Sequence, residues 1–182
     1  MKRIIATAGF ALLACLIVPT VPVTAVEWTF LEGVARGFPA LRDTTGKKIA
    51  DGDFVQWVEK DRLHVRITYA GQSRRIEEND VFRQRPELVQ EQWSLRELRN
   101  GKLYRQFAVD FTAGRANAKK LDGGELKESS DDVTLDAGRA FAGFGFSLAA
   151  RALRHRLMKG ERLELETVGF TPKPRGVKVE MS

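Results

Sequence analysis

The dipeptide Asn100-Gly101, inside WSLRELRNGKLYRQFAVDF, commits this chain to an antiparallel hairpin. A two-residue type I′ turn needs positive φ at both central positions, and Asn and Gly tolerate that best. About this turn Arg99 opposes Lys102, Leu98 opposes Leu103 and Trp93 opposes Ala108. Leu103, Phe107, Val109 and Phe111 then share a face, interrupted by Arg105. The same register sets Arg96 against Arg105, and like charges across a pair are unfavourable. The hairpin is therefore a firmer expectation than its register.

That hairpin sits in a run of strand signals from Asp53 to Lys120. In Arg62 to Ala70, RLHVRITYA, Leu63, Val65, Ile67 and Tyr69 alternate with Arg62, His64, Arg66 and Thr68. Successive side chains of a strand point to opposite faces, so one face is apolar and the other cationic and polar. FVQWVEK, residues 54–60, precedes it, with Lys60-Asp61 as a tight turn between the two. Gly71 to Arg85 is charged and reads as a solvated edge strand or a hairpin arm. Leu88 to Leu98 has no clean helical stripe and reads as strand.

Residues 119–136, KKLDGGELKESSDDVTLD, form a polar break. Asp122-Gly123-Gly124 marks a turn there, and Ser129 to Asp132 a loop or helix approach. Residues 137–159 read as one helix, with Asp136 as N-cap and Gly160 just past its end. Phe141, Phe144, Leu148 and Ala152 make its apolar stripe, and Gly138, Gly143 and Gly145 weaken its first half. Two terminal strands are expected within 161–181. The fold class expected is α+β: mainly an antiparallel meander, flat or curled toward a half-barrel, with one amphipathic C-terminal helix packed on it.

The N-terminus reads as a leader. Lys2-Arg3 is a positive n-region, Ile4 to Leu16 an apolar stretch, and Val23-Thr24-Ala25 a small-residue cleavage signal. Cleavage after Ala25 is expected, giving a signal peptide over 1–25 and a single exported domain over 26–182. The alternatives are a retained N-terminal anchor or a lipoprotein at Cys15. Cys15 is the only cysteine, so the cleaved chain has no disulfide, thiolate metal site or cysteine nucleophile. Without Lys2 and Arg3 the net charge falls from +6 to +4. A mild basic surplus suits anionic surfaces. No basic run interleaves with aromatics, so nucleic acid is not an expected partner.

No cofactor, metal or catalytic group is expected. His64 and His155 lack ligand spacing, and Ser147 lacks the flanking glycines of a nucleophile elbow. The expected function is non-enzymatic. An exported periplasmic or envelope protein would bind or carry a lipid-like or other hydrophobic ligand in a groove between sheet and helix. Its lining would be Phe107, Val109, Phe111, Phe141, Phe144 and Leu148. Arg151 and Arg154 would touch an anionic surface, with membrane contact peripheral at most. One alternative is an envelope interaction module acting through sheet edges near Arg74 and at Gly176 to Met181. The other is a hydrolase using two carboxylates among Glu77, Glu78, Asp80, Glu91 and Asp110.

Overall fold

Consecutive strands joined by short turns build a long antiparallel meander. The computed structural model of the protein describes residues 20–23, 25–28, 31–171 and 173–182. The first strands are β1 (Thr20–Pro22), β2 (Ala35–Gly37), β3 (Ala40–Arg42) and β4 (Lys48–Glu59). The meander continues through β5 (Arg62–Ala70), β6 (Arg74–Arg83), β7 (Val89–Arg99), β8 (Lys102–Asp110), β9 (Arg115–Asp122) and β10 (Glu125–Asp132). Two short helices follow, α1 (Gly145–Ala152) and α2 (Arg154–Leu157), then β11 (Arg162–Gly169) and β12 (Arg175–Met181).

The large sheet has the order β10-β9-β8-β7-β6-β5-β4-β2, with β3 also on β4. It is open rather than closed into a barrel. A small sheet has the order β1-β11-β12, in which β1 runs parallel to β11. Among the described residues 59% are strand and 8% helix, so the expected helical component shrinks to two short pieces. No helix among the described residues is long and apolar enough to cross a membrane.

Three hairpins turn on positive φ at both central residues: Lys60-Asp61 (47° and 63°), Asn100-Gly101 (49° and 76°) and Gly123-Gly124 (61° and 91°). This hand matches the right-handed twist of the flanking strands. The Asn100-Gly101 register holds only near the turn. Arg99 faces Lys102 and Leu98 faces Leu103, but a bulge then leaves Tyr104 unpaired. Beyond it Glu97 faces Arg105, Arg96 faces Gln106 and Trp93 faces Val109 rather than Ala108. The extra residue replaces the unfavourable Arg96–Arg105 pairing with Glu97–Arg105.

Three expectations are corrected. The stretch 119–136 is not a break but largely the β9–β10 hairpin, in which Ser129 to Asp132 are strand. Of the two readings of Gly71 to Arg85, the hairpin arm holds and the edge does not: it contains β6, paired with both β5 and β7. The single helix over 137–159 is absent, because the backbone of residues 139–142 is engaged elsewhere. Glu166 N donates to Arg139 O, Phe141 N donates to Glu166 O, and Ala142 N donates to Gln90 Oε1. Asp136 caps only a turn, its Oδ1 accepting from Gly138 N. Gly160 ends the helical region at φ 78°.

Leu148, Ala149 and Leu153 join Phe141, Leu63, Val65, Ile67, Phe82, Leu163 and Leu165 in one apolar cluster. A second cluster holds Trp93, Val109, Phe111, Ala116, Val133 and Val168. Of the expected leader, residues 1–19 and 24 lie outside the described residues. Thr20–Pro22 pairs with Arg162 to Glu164, and Val23 and Val26 are buried in the first cluster.

Candidate functional site

The registers from β4 to β9 align side chains in rows across the inner face of the large sheet, and exposure changes from row to row. Gln56, Val65, Asp80, Trp93, Val109 and Ala116 form a fully buried row. The next row is Phe54, Ile67, Glu78, Leu95, Phe107 and Ala118, of which only Ile67 and Ala118 are buried. The outermost is Gly52, Tyr69, Ile76, Glu97, Arg105 and Lys120, of which only Glu97 is buried. The inner face thus passes from closed core to an open, partly apolar end.

A polar interlock marks the boundary. Gln90 Nε2 donates to Asp80 Oδ1 (2.7 Å) and to Ala142 O (3.1 Å), while Gln90 Oε1 accepts from Ala142 N (2.7 Å). Glu78 Oε1 accepts from Trp93 Nε1 (3.0 Å) and from Phe144 N (2.7 Å). A bulge in β7 enables this: Val81 faces Gln92 and Phe82 faces Gln90, leaving Glu91 over. Gln90 and Trp93, three apart, would otherwise lie on opposite faces. A Cβ on Gly145 would stand 2.4 Å from Gln90 Oε1, so only glycine fits.

Asp80 is 1% exposed, and among the described residues its Oδ2 has no partner. Burial, with the negative charge of Glu78 beside it, pushes its carboxyl up to about 9 against the Gln90 hydrogen bond. The folded chain then holds a proton that the unfolded chain releases. That contribution is complete below about pH 4 and is lost as pH rises toward 9, by up to about 1.4 kcal/mol per pH unit. Urea unfolding of Asp80→Asn is expected to show a flatter stability profile between pH 5 and 8 than the parent. Equal slopes would show that Asp80 does not carry this proton.

At the open end one carboxylate gathers three guanidinium groups. Glu97 is fully buried and binds Arg74 Nε (2.9 Å), Arg99 Nε (2.9 Å) and Arg105 Nε (2.7 Å). Burial opposes its charge, but the Arg99 hydrogen bond and the charges of Arg105 and Arg74 outweigh it and hold the carboxyl below its ordinary range. Arg99 also lies over the Tyr104 ring at 3.4 Å. Next to this cluster is a cavity of about 630 Å³. Leu41, Ala50, Tyr69 and Ile76 supply its apolar wall, and Lys47, Lys48 and Arg74 its cations.

The expected lining residues do not form one groove. Val109 and Phe111 lie in the second cluster with Phe107 against it, whereas Phe141 and Leu148 lie in the first with Phe144 against it. Only Phe107 and Phe144 keep partial exposure. The Phe107 ring packs tilted against Phe170 (4.6 Å) and the Phe144 ring tilted against Phe54 (5.3 Å). Arg151 is exposed and pairs with Glu32, and Arg154 is exposed on α2. The five carboxylates considered for hydrolysis each have a structural partner. Glu77 pairs with Arg75, Glu91 with Arg62 and Arg83, and Asp110 closes the β8–β9 turn through Thr112 and Ala113. Glu78 and Asp80 belong to the interlock.

Sequence reasoning missed Ile76 and Glu97, and offered Arg74 only as part of a docking edge, whereas it lies beside Glu97 on an internal strand. The alternation of Ile76, Glu78, Asp80 and Phe82 along β6 was present, but two acids on the buried face disguised it. No protein-family model, curated protein or solved structure matches this chain.

Proposed function

We propose that this chain is an exported, non-enzymatic protein that binds a lipid-like or other hydrophobic ligand at the open end of the inner face. The observation that carries the reading is the apolar wall of the 630 Å³ cavity, where Tyr69 and Ile76 lie one row from partly buried Leu95 and Phe107 on the same face of the sheet. A cavity of that size falls within the range of small-molecule sites. The partnered carboxylates favour binding over hydrolysis. In this reading the segment from Phe141 through α2 packs over the inner half of the sheet as a cap, and Phe144 marks its edge over the site. Export follows from the leader pattern at Lys2-Arg3, Ile4 to Leu16 and Val23 to Ala25. Cleavage after Ala25 would take β1 off β11 and Val23 out of the first cluster, and any membrane contact would then be peripheral.

Phe144→Trp places an indole at this edge without touching the interlock's backbone bonds. Dodecyl maltoside below its micellar concentration is expected to shift the emission of Phe144→Trp to the blue and raise its intensity. Emission unchanged at saturating detergent counts against a site here.

The envelope-module reading keeps support in the sheet edges. Among the described residues β12, which contains the expected edge Gly176 to Met181, pairs only with β11, and β10 only with β9, with Leu126 on it 43% exposed. An open edge of this kind can accept a partner strand.

A further inference from the structure

We propose that the ligand is an anionic amphiphile whose carboxylate or phosphate head sits among Arg74, Arg99 and Arg105 and whose tail lies on Tyr69, Ile76, Leu95 and Phe107. This rests on the hydrophobic-ligand reading and adds the headgroup. Cations outnumber carboxylates around the apolar strip. Lys47, Lys48 and Arg74 line the cavity, and Arg99, Arg105 and Lys120 continue from it across the inner face. The carboxylates on the same surface are Asp51, Glu78 and Glu97. Each is engaged: Asp51 by Lys48, Glu78 by Trp93 and the Phe144 amide, Glu97 by its three arginines.

One carboxylate cannot satisfy three guanidinium groups. Each guanidinium has five N–H donors in a planar fork. Arg99 and Arg105 give Glu97 only their Nε–H, so among the described residues their Nη groups remain for another acceptor. Their side chains are 50% and 40% exposed, and that of Arg74 43%, so a ligand can reach them. Charge and apolar surface meet at Phe107, where Arg105 Cζ lies 5.8 Å and Lys120 Nζ 5.2 Å from the ring centre. A positive rim beside an apolar strip favours anions and repels cations of equal chain length.

Titration calorimetry with myristate, tetradecyl phosphate, monomyristoylglycerol and tetradecyltrimethylammonium, all below micellar concentration, tests the inference. Both anions are expected to bind about tenfold or more tighter than the neutral lipid, as charge-assisted hydrogen bonds would give. The tighter of the two identifies the head, and the cation is expected to bind weakest. Arg105→Gln and Arg74→Gln, checked for folding by thermal melts, should reduce the preference, with the anions losing more affinity than monomyristoylglycerol. Added salt should erode the preference in the unaltered protein, which keeps the test available if a variant fails to fold. Equal affinity for anionic and neutral lipids overturns the headgroup inference and leaves the ligand reading standing. No binding of any of the four overturns both.

Discussion

Gly143→Ala is expected to lower unfolding stability by about 3 kcal/mol, from one left-handed residue without glycine and two broken hydrogen bonds. Gly143 has φ 50°, a conformation that costs an L side chain roughly 1 kcal/mol. A Cβ there would stand 1.7 Å from Glu78 Oε1 and 2.3 Å from Trp93 Nε1. A free glutamate could swing aside. Glu78 is held by Trp93 and by the Phe144 amide, so making room breaks both bonds. Urea unfolding followed by tryptophan emission reads the loss. A change under about 0.5 kcal/mol, the scale of an ordinary surface substitution, would show that the interlock does not hold the 141–146 segment.

Glu97→Ala is the second large effect. Its carboxylate is the only acid bonded to Arg74, Arg99 and Arg105 among the described residues, and it is fully buried. Removing it leaves three cations facing one another over a vacated site. Loss of a buried partner costs about 3–5 kcal/mol, and the half-exposed arginines, which water can screen, place this case near the lower end. Glu97→Gln keeps the shape and should lose less. The carboxyl is held low in the folded state, so its contribution is present above the ordinary carboxylate range and is lost as pH falls through the folded value. The stability gap between parent and Glu97→Gln should therefore narrow in acid. A constant gap would place the effect in packing rather than charge.

The sheet was legible because local chemistry and global pairing agree there. Arg62 to Ala70 alternates cleanly, and the turns at Lys60-Asp61 and Asn100-Gly101 formed where expected. Terminal strands within 161–181 formed as β11 and β12. The helix was not legible in the same way. Phe141, Phe144 and Leu148 repeat at helical spacing, yet the backbone before Gly145 bonds to Gln90 and Glu166, which lie far away in sequence. Tertiary partners overrode local propensity.

The bulges at Glu91 and Tyr104 explain most of what was missed at the site. Each inserts one residue and shifts which side chains face inward from that point on. The Tyr104 bulge brings Glu97 opposite Arg105, and the Glu91 bulge brings Gln90 under Ala142. Neither carries Gly or Pro to mark it. The Arg96–Arg105 conflict was the one available sign, and it pointed to the right hairpin.

Native mass spectrometry of the protein purified gently from an exporting host reads out the ligand site itself. A bound mass in the lipid range, released on collisional activation, is expected. Ile76→Asp, which puts a charge on the apolar strip, should lose most of it while keeping the fold. A bare polypeptide in the parent that also fails to retain an added tetradecyl-chain lipid would contradict a ligand site at the open end of the sheet.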